Sequence, residues 1–329
     1  MASKIFMGDM PELLENILNN LNDDFYSLYS CALVSRHCGA TLHKLVLFPH
    51  YIEIKPEIIN SLEQNAQFFS QLQDLTIDIE SLCIENTTTL LNIFIKHTTK
   101  ICALKLGGIF SKYEPQLFHI LIRIIKSQEQ LRKFYFVGEE YKYKDYHTKF
   151  NGLLSALESQ KNSLQEVIVE NYGYSAEFEV LNICKNLKTL RMRNVFDYPV
   201  LSNILNCKIS TLDIYNFQID ASTTVQILEH SGKLLQRLKL NNNGNKILNE
   251  SFLLEAIKSF CPNITYLSIS RIGFSTQILE IIGNLQKLQF LTLQCFVDIS
   301  GEELKIRVKQ FAEILPLTLQ YLDLVYNSC

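Results

Sequence analysis

Leu72-Gln73-Asp74-Leu75-Thr76-Ile77-Asp78 carries apolar residues at its first, fourth and sixth positions, and the same spacing returns nine more times. The copies are Ile101-Leu104-Leu106, Leu131-Phe134-Phe136, Leu164-Val167-Val169, Leu187-Leu190-Met192 and Ile209-Leu212-Ile214. Leu235-Leu238-Leu240, Ile264-Leu267-Ile269, Leu288-Leu291-Leu293 and Leu319-Leu322-Leu324 complete the series. Successive copies begin 29, 30, 33, 23, 22, 26, 29, 24 and 31 residues apart. Residues two apart share one face of a strand, so each copy reads as a short strand with one buried side. One such strand cannot bury its apolar side alone, and stacking neighbours is what supplies a continuous core.

Between the strands lie segments with helical periodicity. Leu90, Leu91, Phe94 and Ile95 line one face of the first, and Leu117, Ile120, Leu121, Ile124 and Ile125 line the next. Phe252, Leu253, Ala256, Ile257 and Phe260 line a later one. Pro115 and Pro199 suit first helical turns, Ser300 and Glu303 have capping-box spacing, and Cys261-Pro262-Asn263 stops a helix. A strand plus helix every 20–29 residues or so is the signature of leucine-rich repeats. The expected fold is α/β: a solenoid of about ten repeats over residues 71–329, with a curved parallel sheet on its concave face and helices on its convex face. The sequence stops five residues past Leu324, so the last strand is expected to present an open edge.

The residues between the motif positions then face outward on the concave side. The early strands put Asp74, Thr76, Asp78, Ala103, Lys105, Lys133, Tyr135, Glu166 and Glu170 there. Later ones add Asp213, Ser268, Thr292 and Asp323. The candidate residues for binding a protein substrate are Arg191, Arg193, Tyr215, Arg237, Lys239, Tyr266, Phe290 and Tyr321, a basic middle followed by an aromatic end. The cationic group can attract an acidic or phosphorylated ligand, or it can be a solvated ladder neutralised by Asp213.

Bulk properties narrow the function. A net charge of -3 argues against a general nucleic-acid binder, which carries a basic excess. No apolar run reaches the roughly 18–20 residues of a membrane span, and MASKIFMGDMPELL has no signal-peptide core. Nine cysteines without an export signal read as reduced thiols, and the chain as cytoplasmic or nuclear. The sequons at Asn86, Asn249 and Asn263 are then expected to stay unmodified. Residues 139–149 interleave tyrosines with lysines but also carry acidic groups, and read as a solvated loop.

Residues 9–45 break the repeat. Asp9 caps a helix with Pro11 in its first turn, and Leu13, Leu14, Ile17, Leu18 and Leu21 form a helical stripe. Phe25, Leu28, Ala32, Leu33 and Val34 follow the break at Asn22-Asp23-Asp24. Met10-Pro11-Glu12-Leu13-Leu14, Ile17-Leu18, Leu21 and Cys31-Ala32-Leu33-Val34-Ser35-Arg36 resemble an F-box, and the repeats resemble those of leucine-rich-repeat F-box proteins. The resemblance implies an all-α unit at 9–45, a transitional cap at 46–70, and a substrate receptor of an SCF-type cullin–RING ubiquitin ligase. It further implies that Pro11, Leu13, Leu14, Ile17, Leu18, Leu21, Leu28, Leu33 and Val34 dock a Skp-type adaptor, while the repeats select a protein substrate. The family usually has tryptophan where this chain has Cys38. The other reading is a leucine-rich-repeat binding module whose N-terminal helices merely cap the array.

Catalytic signatures are missing: there is no Cys-x-x-Cys pair, His-Glu-x-x-His, Walker loop or Gly-x-Ser-x-Gly. His37, His43 and His50 are too widely spaced for one helical face to gather a metal. No cofactor, metal, nucleic acid or membrane is expected, and ubiquitin transfer would fall to other subunits.

Overall fold

The computed structural model describes residues 42–47, 56–78, 84–109, 115–138, 152–171, 176–194, 207–216, 219, 221–242, 244, 246–297 and 299–328. The F-box-like residues, from Pro11 to Val34 and on to Cys38, lie outside the described residues, as do Pro199 and the insertion at 139–149. The chain divides into two compact units, Met1–Leu164 and Gln165–Cys329.

The first unit holds four parallel strands in chain order: β1 (Lys44–Leu47), β2 (Asp74–Asp78), β3 (Ala103–Ile109) and β4 (Lys133–Gly138). Its helices are α1 (Pro56–Gln64), α2 (Ile84–His97) and α3 (Pro115–Ser127), with 3₁₀ segments at Ala66–Phe69 and Ser155–Gln160. The parallel ladder starts one strand earlier than the ten motifs. Leu42, Leu45 and Leu47 have the same spacing and are buried, so β1 straddles the boundary expected between the N-terminal unit and the cap.

The second unit holds seven parallel strands in chain order. They are β5 (Glu166–Glu170), β6 (Thr189–Arg193), β7 (Thr211–Asn216), β8 (Arg237–Asn242), β9 (Tyr266–Gly273), β10 (Phe290–Val297) and β11 (Tyr321–Ser328). Its helices are α4 (Ala221–Ser231), α5 (Glu250–Phe260), α6 (Thr276–Asn284) and α7 (Gly301–Ile314). Between Leu164 and Leu187 the described convex segment is a 3₁₀ stretch, Ala176–Ile183, whereas α4 to α7 are helices of nine to fourteen residues. Parallel strands joined by helices or 3₁₀ segments at this period are leucine-rich-repeat architecture.

One hydrogen-bond arrangement fixes the register from repeat to repeat. Within each unit, the carbonyl after the first motif residue accepts two consecutive amides of the next repeat. Gln73 O takes Cys102 N and Ala103 N, and Cys102 O takes Arg132 N and Lys133 N. In the second unit Gln236 O takes Thr265 N and Tyr266 N, and Gln289 O takes Gln320 N and Tyr321 N. A slip of one residue would break these pairs and turn every motif leucine outward. Each of the ten motifs through Leu288-Leu291-Leu293, counting that of β1, is buried at all three positions, and each buried side chain contributes about 1.5–3 kcal/mol. On β11 the situation changes: Leu322 is 41% exposed where its counterpart Leu291 is fully buried.

The helices follow their sequence signals with two adjustments. α3 begins at Pro115, α5 ends before Cys261-Pro262, and the Ser300 hydroxyl accepts from Glu303 N. The Glu303 carboxylate pairs with Arg307 on its own helix. On α5 the buried face is Leu253, Leu254, Ala256 and Ile257, whereas Phe252 is 68% exposed. The stripe expected from periodicity keeps Leu253, Ala256 and Ile257 but gains Leu254 in place of Phe252.

Candidate interaction face

Alternation along each strand sends one set of side chains into the core and the other onto the open face of the sheet. Pairing in register then lines the open-face residues up into rows that cross the strands. In the first unit Lys105 and Tyr135 are neighbours in such a row, and the ammonium sits 4.4 Å from the ring centroid.

In the second unit two rows carry the candidate residues. One runs Glu166, Thr189, Thr211, Arg237, Tyr266, Phe290, Tyr321. The next runs Ile168, Arg191, Asp213, Lys239, Ser268, Thr292, Asp323, and Arg193 and Tyr215 are register partners in a third. All eight candidate substrate-binding residues stand on this face.

The cations are not a free basic patch. Arg193 Nη1 donates to Glu170 Oε1 at 2.8 Å, and Arg191 Nη2 is 3.4 Å from Glu166 Oε1. Arg237 lies over the Tyr266 ring, its Cζ 4.3 Å from the centroid. Lys239 is the register partner of Asp213, which is buried and whose Oδ1 has no hydrogen-bond partner; nor does the buried Arg191 Nε. The basic middle is thus largely neutralised, and by β5 more than by Asp213. Sequence reasoning had Glu166 and Glu170 on the face but did not pair them. The signal was available, since a 23-residue step sets Glu170 opposite Arg193.

Beyond β8 the face becomes aromatic. Tyr266 and Phe290 rings are 6.3 Å apart and tilted by 34°. Phe290 is 37% and Tyr321 52% exposed, although the leucines directly beneath β10 are buried. Arg237, Tyr266, Phe290 and Tyr321 therefore form a row in which the guanidinium caps a run of rings, an arrangement suited to apolar and planar groups.

Four of the described thiols are buried in the core. Burial pushes Cys184 up to about 11 and Cys207, Cys261 and Cys295 up to about 12, so all four are protonated at neutral pH. Among the described residues no group of histidine, cysteine, aspartate or glutamate is arranged to hold a metal, and no helix is long and apolar enough to cross a membrane.

No family model matches the chain, and no curated protein matches it. Several solved structures are similar. Rad7, in the yeast Rad7–Elc1 complex, is 14% identical, with a TM-score of 0.46 over 96% of this chain and 82% of that one. The leucine-rich-repeat protein LegL7 from Legionella pneumophila is 16% identical, with a TM-score of 0.46 over 87% and 90%. TLR13, in complex with ssRNA13, is 13% identical, with a TM-score of 0.47 over 88% of this chain and 36% of that one.

Proposed function

We propose that the open sheet face of residues 165–329 is a protein-recognition surface and that the chain is a non-catalytic receptor. In its finer form this makes it the substrate-recognition subunit of an SCF-type cullin–RING ubiquitin ligase, with residues 9–45 docking a Skp-type adaptor. The observation that carries the recognition half is the row Arg237, Tyr266, Phe290, Tyr321, where large rings stay exposed above a filled core. Interfaces concentrate their energy in residues of this kind, aromatics and arginine. The adaptor half rests on the F-box-like residues Pro11, Leu13, Leu14, Ile17, Leu18 and Leu21 together with Leu33-Val34-Ser35-Arg36.

Co-expression with a Skp-type adaptor, followed by size-exclusion chromatography of wild type and of Ile17→Asp with Leu18→Asp, tests the finer reading. A one-to-one complex lost in the double variant supports it. A folded wild type that elutes alone overturns it and leaves a leucine-rich-repeat binding module with capping helices, a reading that Cys38 favours. Arg237→Glu with Phe290→Ala tests the recognition half: a partner that binds both proteins equally would overturn it.

A further inference from the structure

We infer that the cavity beyond the carboxyl ends of β9 and β10 binds a small organic anion, a carboxylate or phosphate monoester on an apolar body. It lies at the strand ends, away from the face described above, and does not depend on that proposal. The cavity has a volume of about 380 Å³, at the small end of the range of about 300–1,000 Å³ found for small-molecule sites.

An irregularity in the sheet builds it. β9 and β10 each run for eight residues, longer than the five- and six-residue strands before them in this unit, and their register shifts between Gln294 and Cys295. Arg271 is the extra residue. Its φ of 62° is one that bulky side chains rarely take, and it sends the guanidinium over Phe296, 5.2 Å from the ring centroid. Two residues on, the side-chain ends of Glu250 and Lys246 close over Gly273. A Cβ there would stand 2.8 Å from Glu250 Oε1 and 3.1 Å from Lys246 Nζ, and its own N–H donates to Glu250 Oε2 at 3.0 Å. The bulge and this glycine press the Lys246–Glu250 pair against the strand end as one wall. Phe274, Phe296 and Ile299 supply the apolar lining.

Charge selects the ligand. Among the described lining residues the charged groups are the cations Lys246 and Arg307 and the carboxylate of Glu250, and Arg271 stacks on the Phe296 wall. α5, α6 and α7 all begin at this rim, adding the positive ends of three helix dipoles. Both lining cations keep donors in reserve. Lys246 has one carboxylate neighbour, Glu250 at 3.3 Å, for three N–H groups. Arg307 uses one N–H on Phe274 O and one on Glu303, of five. An anionic head between Lys246 and Arg307 takes up those donors, with its body on Phe296 and Ile299, since Phe274 is itself only 3% exposed.

The test is titration of the full chain with phenyl phosphate and with benzoate, followed by thermal melting and by NMR. Inorganic phosphate and benzyl alcohol are the controls, and Lys246→Gln and Lys309→Gln the variants. At least one aromatic anion should raise Tm saturably, the tighter of the two identifying the preferred head group. Lys246→Gln should weaken that binding by about tenfold or more, since a charge-assisted hydrogen bond is lost. Lys309→Gln, an exposed residue of α7 outside the cavity, should not. The inference is overturned by no saturable shift with either anion, by equal binding of benzyl alcohol, or by inorganic phosphate matching phenyl phosphate. An unchanged Kd in Lys246→Gln also overturns it. Lys246 is half exposed, so its variant folds and each outcome is readable.

Discussion

The turn from convex segment to strand is built differently in the two units. In the first, polar side chains are buried there. Thr98 Oγ1 donates to Phe94 O at 2.6 Å, and Gln128 Nε2 donates to Thr98 O and Ile124 O while its Oε1 accepts from Ile101 N. Gln160 repeats the pattern one step on, donating to Gln128 O and Ile125 O and accepting from Leu131 N. In the second unit most of the corresponding places hold Cys184, Cys207 and Cys261, all buried, and then Leu285. Before Leu235 a polar side chain returns, where the buried Ser231 hydroxyl donates to Cys207 O at 2.6 Å. Thiols are weak donors, as the 3.5 Å contact of Cys184 Sγ with Val180 O illustrates. One backbone corner thus accepts two solutions. An amide ladder satisfies carbonyls of the preceding repeat but tolerates no missing member, whereas a thiol only fills space.

Alkaline pH should separate the two solutions most strongly. The thiols of Cys184, Cys207, Cys261 and Cys295 are held above their usual value of 9.0, at about 11 to 12, by burial. Because the folded form keeps protons that the unfolded chain releases, their stabilising share is full below pH 9 and disappears as pH rises toward 12. The loss is about 1.4 kcal/mol per thiol for each pH unit in that window. Urea unfolding at pH 8, 9, 10 and 10.5 should show it, with Cys261→Ala less steep by that amount. Equal slopes would mean that the thiol ionises without opening the fold.

Gln128→Leu should cost about 3–5 kcal/mol, because Ile101 N–H and Thr98 C=O lose their buried partner. Cys261→Ala, at the same corner of a later repeat, should cost only about 1–2 kcal/mol for a small cavity. Urea midpoints check both. Comparable costs would erase the distinction between ladder and filler.

The strands were legible because three buried residues at fixed spacing leave a pattern that few other structures produce. Leu42, Leu45 and Leu47 carry it too, but they adjoin the F-box-like segment, which drew them into a different unit. The corners were not legible, since glutamines at 128 and 160 read as surface until the fold supplies carbonyls for them. Phe252 shows the limit of periodicity: a stripe fixes the helix but not which flanking residue is left outside. On the open face the residues were legible and their pairing was not, because ion pairs depend on which strand lies alongside. The cavity left no motif, as Lys246 and Arg307 stand far apart in the sequence and line it together only once the chain is folded.

The smallest effect is expected on the open face, where Arg193→Ala should cost less than about 1 kcal/mol. The Arg193–Glu170 contact is short, but the arginine side chain is 41% exposed and water screens the pair. Both strands keep their backbone ladder and the buried Met192 beneath them, so nothing else is lost. A double-mutant cycle with Glu170→Ala in low and high salt measures the pair alone. Coupling that shrinks with salt matches a solvated pair, in contrast to the buried amides of the first unit. Coupling above about 2 kcal/mol that ignores salt would instead mark a desolvated pair. Arg193 would then belong with Gln128 among the residues that hold repeats together, and the recognition surface would narrow to the row from Arg237 to Tyr321.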